Sequence, residues 1–234
     1  MQESLFLLAT GLALSLVTHA AQAALIDRGN GMIYDDDLNI TWLADANYFK
    51  TQYTATSGSI LSTLIGQTVT DSLGTYTVGA PDFDTTTGAM TWWGAEAWAA
   101  NLSVGGYDDW RLPTVTTSCS GYLCESGTEL GHLFYTELGG ARAMSITTSH
   151  NANYALFSNI QDDYYWSSED AAIPSAAWDF TTRWGFQGAS YKPNQRYGWA
   201  VRSGDVAAPT VPEPGTLALL GLGAFGLRRA HRRG

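Results

Sequence analysis

Three kinds of stretch alternate along this chain of 234 residues. Apolar runs stand near both ends, over Leu5–Val17 and Thr216–Leu227. Between them, short apolar groups alternate with polar positions and are set apart by turn-forming residues. Leu25-Ile26 and Met32-Ile33-Tyr34 flank Arg28-Gly29-Asn30-Gly31, which predicts a hairpin. Asp35-Asp36-Asp37-Leu38-Asn39 predicts a second turn, leading into Ile40-Thr41-Trp42-Leu43. Residues 50–88 are rich in Thr, Ser and Gly without a sustained period, and read as loops and short strands. Met90–Leu102 has few breakers and many Ala and Trp, which predicts a helix. Ser126-Gly127-Thr128-Glu129 has capping-box spacing and predicts a second helix to about Leu138, closed by Gly139-Gly140. Tyr164-Tyr165-Trp166, Ala177-Trp178-Asp179-Phe180 and Trp199-Ala200-Val201-Arg202 read as strands. Strands, then helices, then strands place the chain in the α+β class.

The two terminal runs are addresses rather than parts of a fold. Ala21-Gln22-Ala23 after the first run fits a signal-peptidase site, so residues 1–23 read as a signal peptide, although Gln2-Glu3 brings no basic residue. The body then spans 24–206, with a linker at 207–211. The second run is about a dozen residues, shorter than the roughly 20 that cross hydrocarbon. It lies between Pro212-Glu213-Pro214 and Arg228-Arg229-Ala230-His231-Arg232-Arg233. That order over 212–234 resembles the PEP-CTERM sorting signal. The resemblance implies a Gram-negative source, transient insertion in the inner membrane, cutting by an exosortase, and release to the cell surface or beyond.

Setting aside the four tail arginines, Glu3 and Glu213 from the 12 basic and 22 acidic residues leaves a body with net charge near −12. Such a surface repels nucleic acid. Acidic turns also supply the oxygen ligands that calcium takes, and calcium is the cofactor they suggest. Asp35 with Asp37, and Asp162 with Asp163, are the metal candidates, alongside Asp82 with Asp84 and Asp108-Asp109. None fits an EF-hand loop, and turn capping is the commoner role of such residues. Cys119 and Cys124 are predicted to form a local disulfide in an exported protein. Their spacing is not C-x-x-C, and with His132 and His150 they make no recognisable zinc pattern.

Four segments carry a second resemblance. They are Gly31-Met32-Ile33-Tyr34-Asp35 with Thr41-Trp42; Gly105-Gly106-Tyr107-Asp108-Asp109-Trp110-Arg111-Leu112-Pro113-Thr114; Tyr165-Trp166-Ser167-Ser168; and Trp199-Ala200-Val201-Arg202. They resemble the Lcl C-terminal-type family of secreted bacterial domains. That family is similar to C-type-lectin-like domains and to formylglycine-generating sulfatase modifiers. The resemblance implies a compact fold with two helices, small antiparallel sheets and long loops. A namesake adhesin in the family favours binding over catalysis. The chain departs from the calcium-dependent lectin signature: Lys192-Pro193-Asn194 puts lysine where a ligand belongs, and Trp178-Asp179 lies upstream.

Within Asp109-Trp110-Arg111-Leu112-Pro113, Trp110 and Leu112 are expected in the core, Pro113 at a strand end, and Arg111 against a carboxylate. Trp166, Trp178 and Trp199 are expected as inward strand residues. Trp184, Phe186, Tyr191 and Tyr197 lie in the Gly/Pro/Asn-rich segment 183–198 and are the candidate ligand contacts, since aromatic faces stack on sugar rings. The chain has no Gly-x-Ser-x-Gly, and neither His132 nor His150 has an identifiable nucleophile. The reading is therefore a non-catalytic domain that binds extracellular polysaccharide. A surface-protein binder or structural matrix component is the alternative, and a glycoside hydrolase or formylglycine-generating-like enzyme is a more distant one.

Overall fold

A computed structural model describes residues 25–206. The signal segment, the linker and Pro212-Glu213-Pro214 lie outside the described residues. The architecture is α+β. The first sheet has strand order β1-β2-β3-β10, from Leu25–Gly29, Met32–Asp35, Ile40–Leu43 and Val201–Ser203. The second has order β6-β9-β8-β7, from Gly121–Tyr122, Phe186–Tyr191, Ala176–Thr181 and Tyr164–Asp170. A separate hairpin joins β4 (Thr68–Asp71) to β5 (Gly74–Thr77). The strand pairs are antiparallel throughout.

Strand alternation places each four-stranded sheet between two apolar clusters. In the first sheet Met32 and Leu43 face one cluster, while Ile33, Trp42 and Val201 face the other. In the second, Trp166 and Ala177 face the first cluster, and Tyr165 and Phe180 the second. The first cluster is covered by α1 (Tyr48–Ala55), α2 (Leu61–Leu64) and α3 (Trp92–Ala100); the second by α4 (Glu129–His132) and the π-helical turn Leu133–Glu137 that continues it. Buried indoles are satisfied by backbone: Trp166 Nε1 donates to the Met90 carbonyl at 3.0 Å, Trp92 Nε1 to Ser167 at 2.8 Å, and Trp199 Nε1 to Leu43 at 2.7 Å.

Several expectations are corrected. The stretch 50–88 holds α1 and α2 as well as the β4–β5 hairpin. Its threonines are poor helix formers, but Phe49 is fully buried and Lys50 Nζ donates to the Thr85 carbonyl at 2.6 Å, so packing fixes what propensity does not. Among the described residues the two predicted helices thus become four. The capping box at Ser126–Glu129 does not form: Thr128 makes no side-chain cap, and Glu129 directs its carboxylate to Arg111 and the Thr114 amide instead. Trp178 is not a core residue; it is only partly buried, between Ala177 and Asp179, which are buried.

The family motif lies at the junction of the layers. Trp110 and Leu112 are buried as expected. Arg111 exchanges two backbone hydrogen bonds with Val201, at 2.8 and 2.9 Å, which attaches this segment to the free edge of β10. Its guanidinium grips Glu129 with two bonds of 2.8 and 2.7 Å, tying the motif to the start of α4. Asp109 holds Arg202 in the same two-pronged way, at 2.7 and 3.0 Å.

Candidate functional site

The disulfide Cys119–Cys124 forms, with 5.7 Å between its Cα atoms. Its loop carries β6 and so adds an edge strand to β9. Gln187, fully buried, donates from Nε2 to the carbonyls of Thr116 (3.0 Å) and Cys119 (2.7 Å) and pins the loop down. A Cβ on Gly131 would collide with the Cys124 carbonyl, so α4 packs directly on the disulfide.

This arrangement decides which part of the second sheet stays open. Ala176, Trp178 and Phe180 share one strand face, paired with Tyr191, Ala189 and Gln187 on β9. At the Phe180 end, α4 and the disulfide loop cover that face. At the Ala176 end no element of comparable size among the described residues does, and a groove of about 450 Å³ remains, lined by Ile173, Trp178, Ala189, Ser190, Tyr191 and Asn194 among others. Ile173 and Tyr191 are 59% and 61% exposed. The Trp178 indole N–H is buried without a hydrogen-bond partner.

The four candidate contact residues do not converge. Tyr191 lies in the groove. Phe186, at the opposite end of β9, meets Tyr122 edge to face with ring centres 5.1 Å apart. Trp184 lies in the β8–β9 turn, exposed, with the Arg183 guanidinium 5.8 Å from its ring centre. Tyr197 packs on the buried Tyr165, 5.7 Å between ring centres, and belongs to the structural support of β7. The sequence reading missed Trp178 and Ile173 as groove residues.

The metal candidates separate as well. Asp162 accepts from the Ser145 hydroxyl at 2.6 Å and lies 3.6 Å from Arg183 Nε. Asp163 accepts from the backbone amide of Tyr164 at 2.9 Å. Asp84 caps its own turn, Asp82 receives the Thr91 hydroxyl, and Asp109 is held by Arg202. Asp35 differs. It is fully buried at the end of β2, on the face shared with Ile33, and ligand atoms of Asp35, His132 and Glu137 lie within 4.8 Å of one another. Burial pushes the Asp35 carboxyl up, and the nearby Glu137 adds to this. The Glu137 carboxylate, 3.4 Å away, and the charges of Asp35 and Asp37 hold the His132 imidazole above its ordinary value, against its burial.

Lys192, the lysine of Lys192-Pro193-Asn194, is held as an internal ion pair. It is fully buried, with Nζ 2.7 Å from Asp71 and 2.6 Å from Asp170, and 4.3 Å from the Trp92 ring centre. Glu96 lies close by; burial first, then Glu169 and Asp170, push its carboxyl up to about 8.

Residues 210–233 match the PEP-CTERM protein-sorting motif, which marks an exported protein of Gram-negative type processed by an exosortase. Among the described residues no helix is long and apolar enough to cross a membrane. No curated protein matches the chain. Residues 31–202, which run from the first hairpin turn to β10 and include the Arg111–Glu129 clamp and the buried tryptophans, match the Lcl C-terminal domain; the chain belongs to that family.

Proposed function

We propose that this exported protein is a non-catalytic binding domain for polysaccharide at the cell surface or in the extracellular matrix, within a C-type-lectin-like variant of the α+β class. The groove at the open end of β8 and β9 carries the reading. It combines a partly buried indole, an exposed phenol and an aliphatic wall with the Ser190 hydroxyl and the Asn194 amide. Flat apolar faces flanked by a few polar groups suit a sugar ring, whose two faces are apolar and whose edge carries hydroxyls.

Titration of the protein with the host's exopolysaccharide and a glycan panel tests this. Saturable binding is expected, weakened by more than about tenfold in Tyr191→Ala, the loss of one well-placed contact. Trp184→Ala, at the other end of the sheet, should bind like the wild type. The reverse pattern would move the site to the Trp184 turn. Absence of binding by the folded protein would favour a surface-protein partner or a structural matrix role.

A further inference from the structure

We propose that Asp35, His132 and Glu137 form a binding site for a zinc-class divalent cation, clasping the β2–β3 turn to the helical layer. The three residues come from separate parts of the fold. Asp35 ends β2, His132 ends α4, and Glu137 ends the π-helical turn. In a regular α-helix, residues five apart point about 140° away from each other. Here the backbone widens: the Leu138 amide donates to the Leu133 carbonyl at 2.8 Å, five residues back. That wider turn brings the Glu137 carboxylate beside the His132 ring. The amides of Asn151 and Asn153 both donate to the Glu137 carbonyl at 2.9 Å and hold the wide turn in place.

Asp35 receives the Trp42 indole at 3.4 Å, but two polar atoms at the centre have no hydrogen-bond partner among the described residues. Glu137 is 2% exposed, and its Oε1 has no hydrogen bond; neither has the buried Nε2 of His132. These two atoms are 3.4 Å apart, and Nε2 is 3.5 Å from Asp37 Oδ2. Both separations are too long for a charge-assisted hydrogen bond, which closes to about 2.7–2.9 Å. They suit two ligands of one ion: donors about 2.1 Å from a tetrahedral metal stand about 3.4 Å apart. Charge points the same way. Asp35, Asp37 and Glu137 bring three carboxylates to one imidazole, so even a protonated His132 leaves an excess of negative charge. A dication offsets it.

The donor set selects the class of cation. An imidazole nitrogen with carboxylate oxygens suits zinc and its neighbours, whereas calcium takes six to eight oxygens. Both cysteines are in the disulfide, so thiolate takes no part. Asp35 is already oriented, its Oδ1 receiving the Leu38 amide at 3.0 Å. Asp37, at the exposed mouth with its side chain 48% accessible, adds negative charge 3.5 Å from His132 Nε2.

Untagged protein stripped with a chelator and then offered zinc, manganese and calcium provides the test, read by metal content after dialysis and by thermal unfolding. One zinc per chain is expected, with a rise in melting temperature that calcium does not reproduce. Glu137→Gln and His132→Gln should each lower zinc affinity by more than about tenfold, at least the loss seen when a supporting residue of a metal site is removed. In crystals of the zinc-loaded wild type, an anomalous peak should lie among Asp35, His132 and Glu137. This readout stands even where a variant fails to fold. Failure of the folded wild type to retain zinc, preference for calcium, or a peak elsewhere would overturn the proposal.

Discussion

Two buried groups of charges in this molecule solve the same problem differently. Around Lys192, one ammonium faces two carboxylates, 2.7 Å from Asp71 Oδ2 and 2.6 Å from Asp170 Oδ1. Asp71 receives the Trp93 indole at 2.9 Å and the Leu73 amide at 2.8 Å, while Asp170 receives the Ser72 amide at 3.1 Å. Around Asp35, three carboxylates face a single imidazole, and two buried polar atoms have no hydrogen bond. Both places withdraw charge from water, which costs several kcal/mol per ion unless partners replace the solvent. The first group contains its own cation. The second is arranged as though one were to be added. Acid count alone does not separate them; a buried ammonium between the carboxylates, present in the first group, does.

The strongest way to break the comparison is to remove the internal cation. Lys192→Met keeps the length and the contact with Trp92 but leaves Asp71 and Asp170 facing each other. Chemical denaturation should show a loss of about 3–5 kcal/mol, the usual cost of an orphaned buried charge. The pH dependence has a definite sign. Burial pushes both carboxyls up, but the bonds from Lys192 and its neighbours more than offset this and hold them below their ordinary value. Their contribution is therefore present above pH 4 or so and is lost as the pH falls through the depressed folded values. That acid-side slope should be weaker in Lys192→Met.

Glu96 sharpens the same region from the alkaline side. Its stem is partly exposed, but Oε1 is enclosed and without a hydrogen bond. With a folded value of about 8 against the usual 4.5, its contribution is full below pH 4.5 and is lost as the pH rises through 8. Glu96→Gln imitates the neutral form. The variant should match the wild type near pH 4 and exceed it by on the order of 2 kcal/mol at pH 9. Parallel denaturation curves at both pH values would show that Glu96 is already ionised in the folded protein.

How far the sequence discloses these groups differs sharply. Asp109-Trp110-Arg111-Leu112-Pro113 was readable because its roles are local: alternate residues turn inward, and an arginine between them must find an acid. Which acid was not readable, since Glu129 comes from the next helix. Lys192 appeared only as a departure from a signature; its partner Asp71 is 121 positions away. Asp35 and Asp37 were visible as turn acids, but the calcium reading treated the turn as self-contained. His132 and Glu137 become their neighbours only through the π turn, and no local pattern announces a helix that widens by one residue. The contact aromatics show the same limit: proximity in 183–198 did not translate into one surface, because β9 runs between them and points them to different ends of the sheet.

The smallest effect separates the two charged groups most cleanly. In the Lys192 group, any carboxylate removed leaves the ammonium short of a partner. In the Asp35 group, a carboxylate removed relieves repulsion. Asp35→Asn keeps an oxygen for the Leu38 amide and abolishes one negative charge next to Glu137, at the cost of the 3.4 Å bond from the Trp42 indole to Oδ2. In chelator the change should be neutral or slightly stabilising, within about 1 kcal/mol, because the lost hydrogen bond to charge and the relieved repulsion are of similar size. In saturating zinc the same variant should fall below the wild type, since it gives up a ligand that the ion uses. A reversal of sign between the two buffers would mark the group as built for an added cation. A loss of several kcal/mol in chelator would instead place it with the Lys192 group, its charges already balanced by the protonated imidazole.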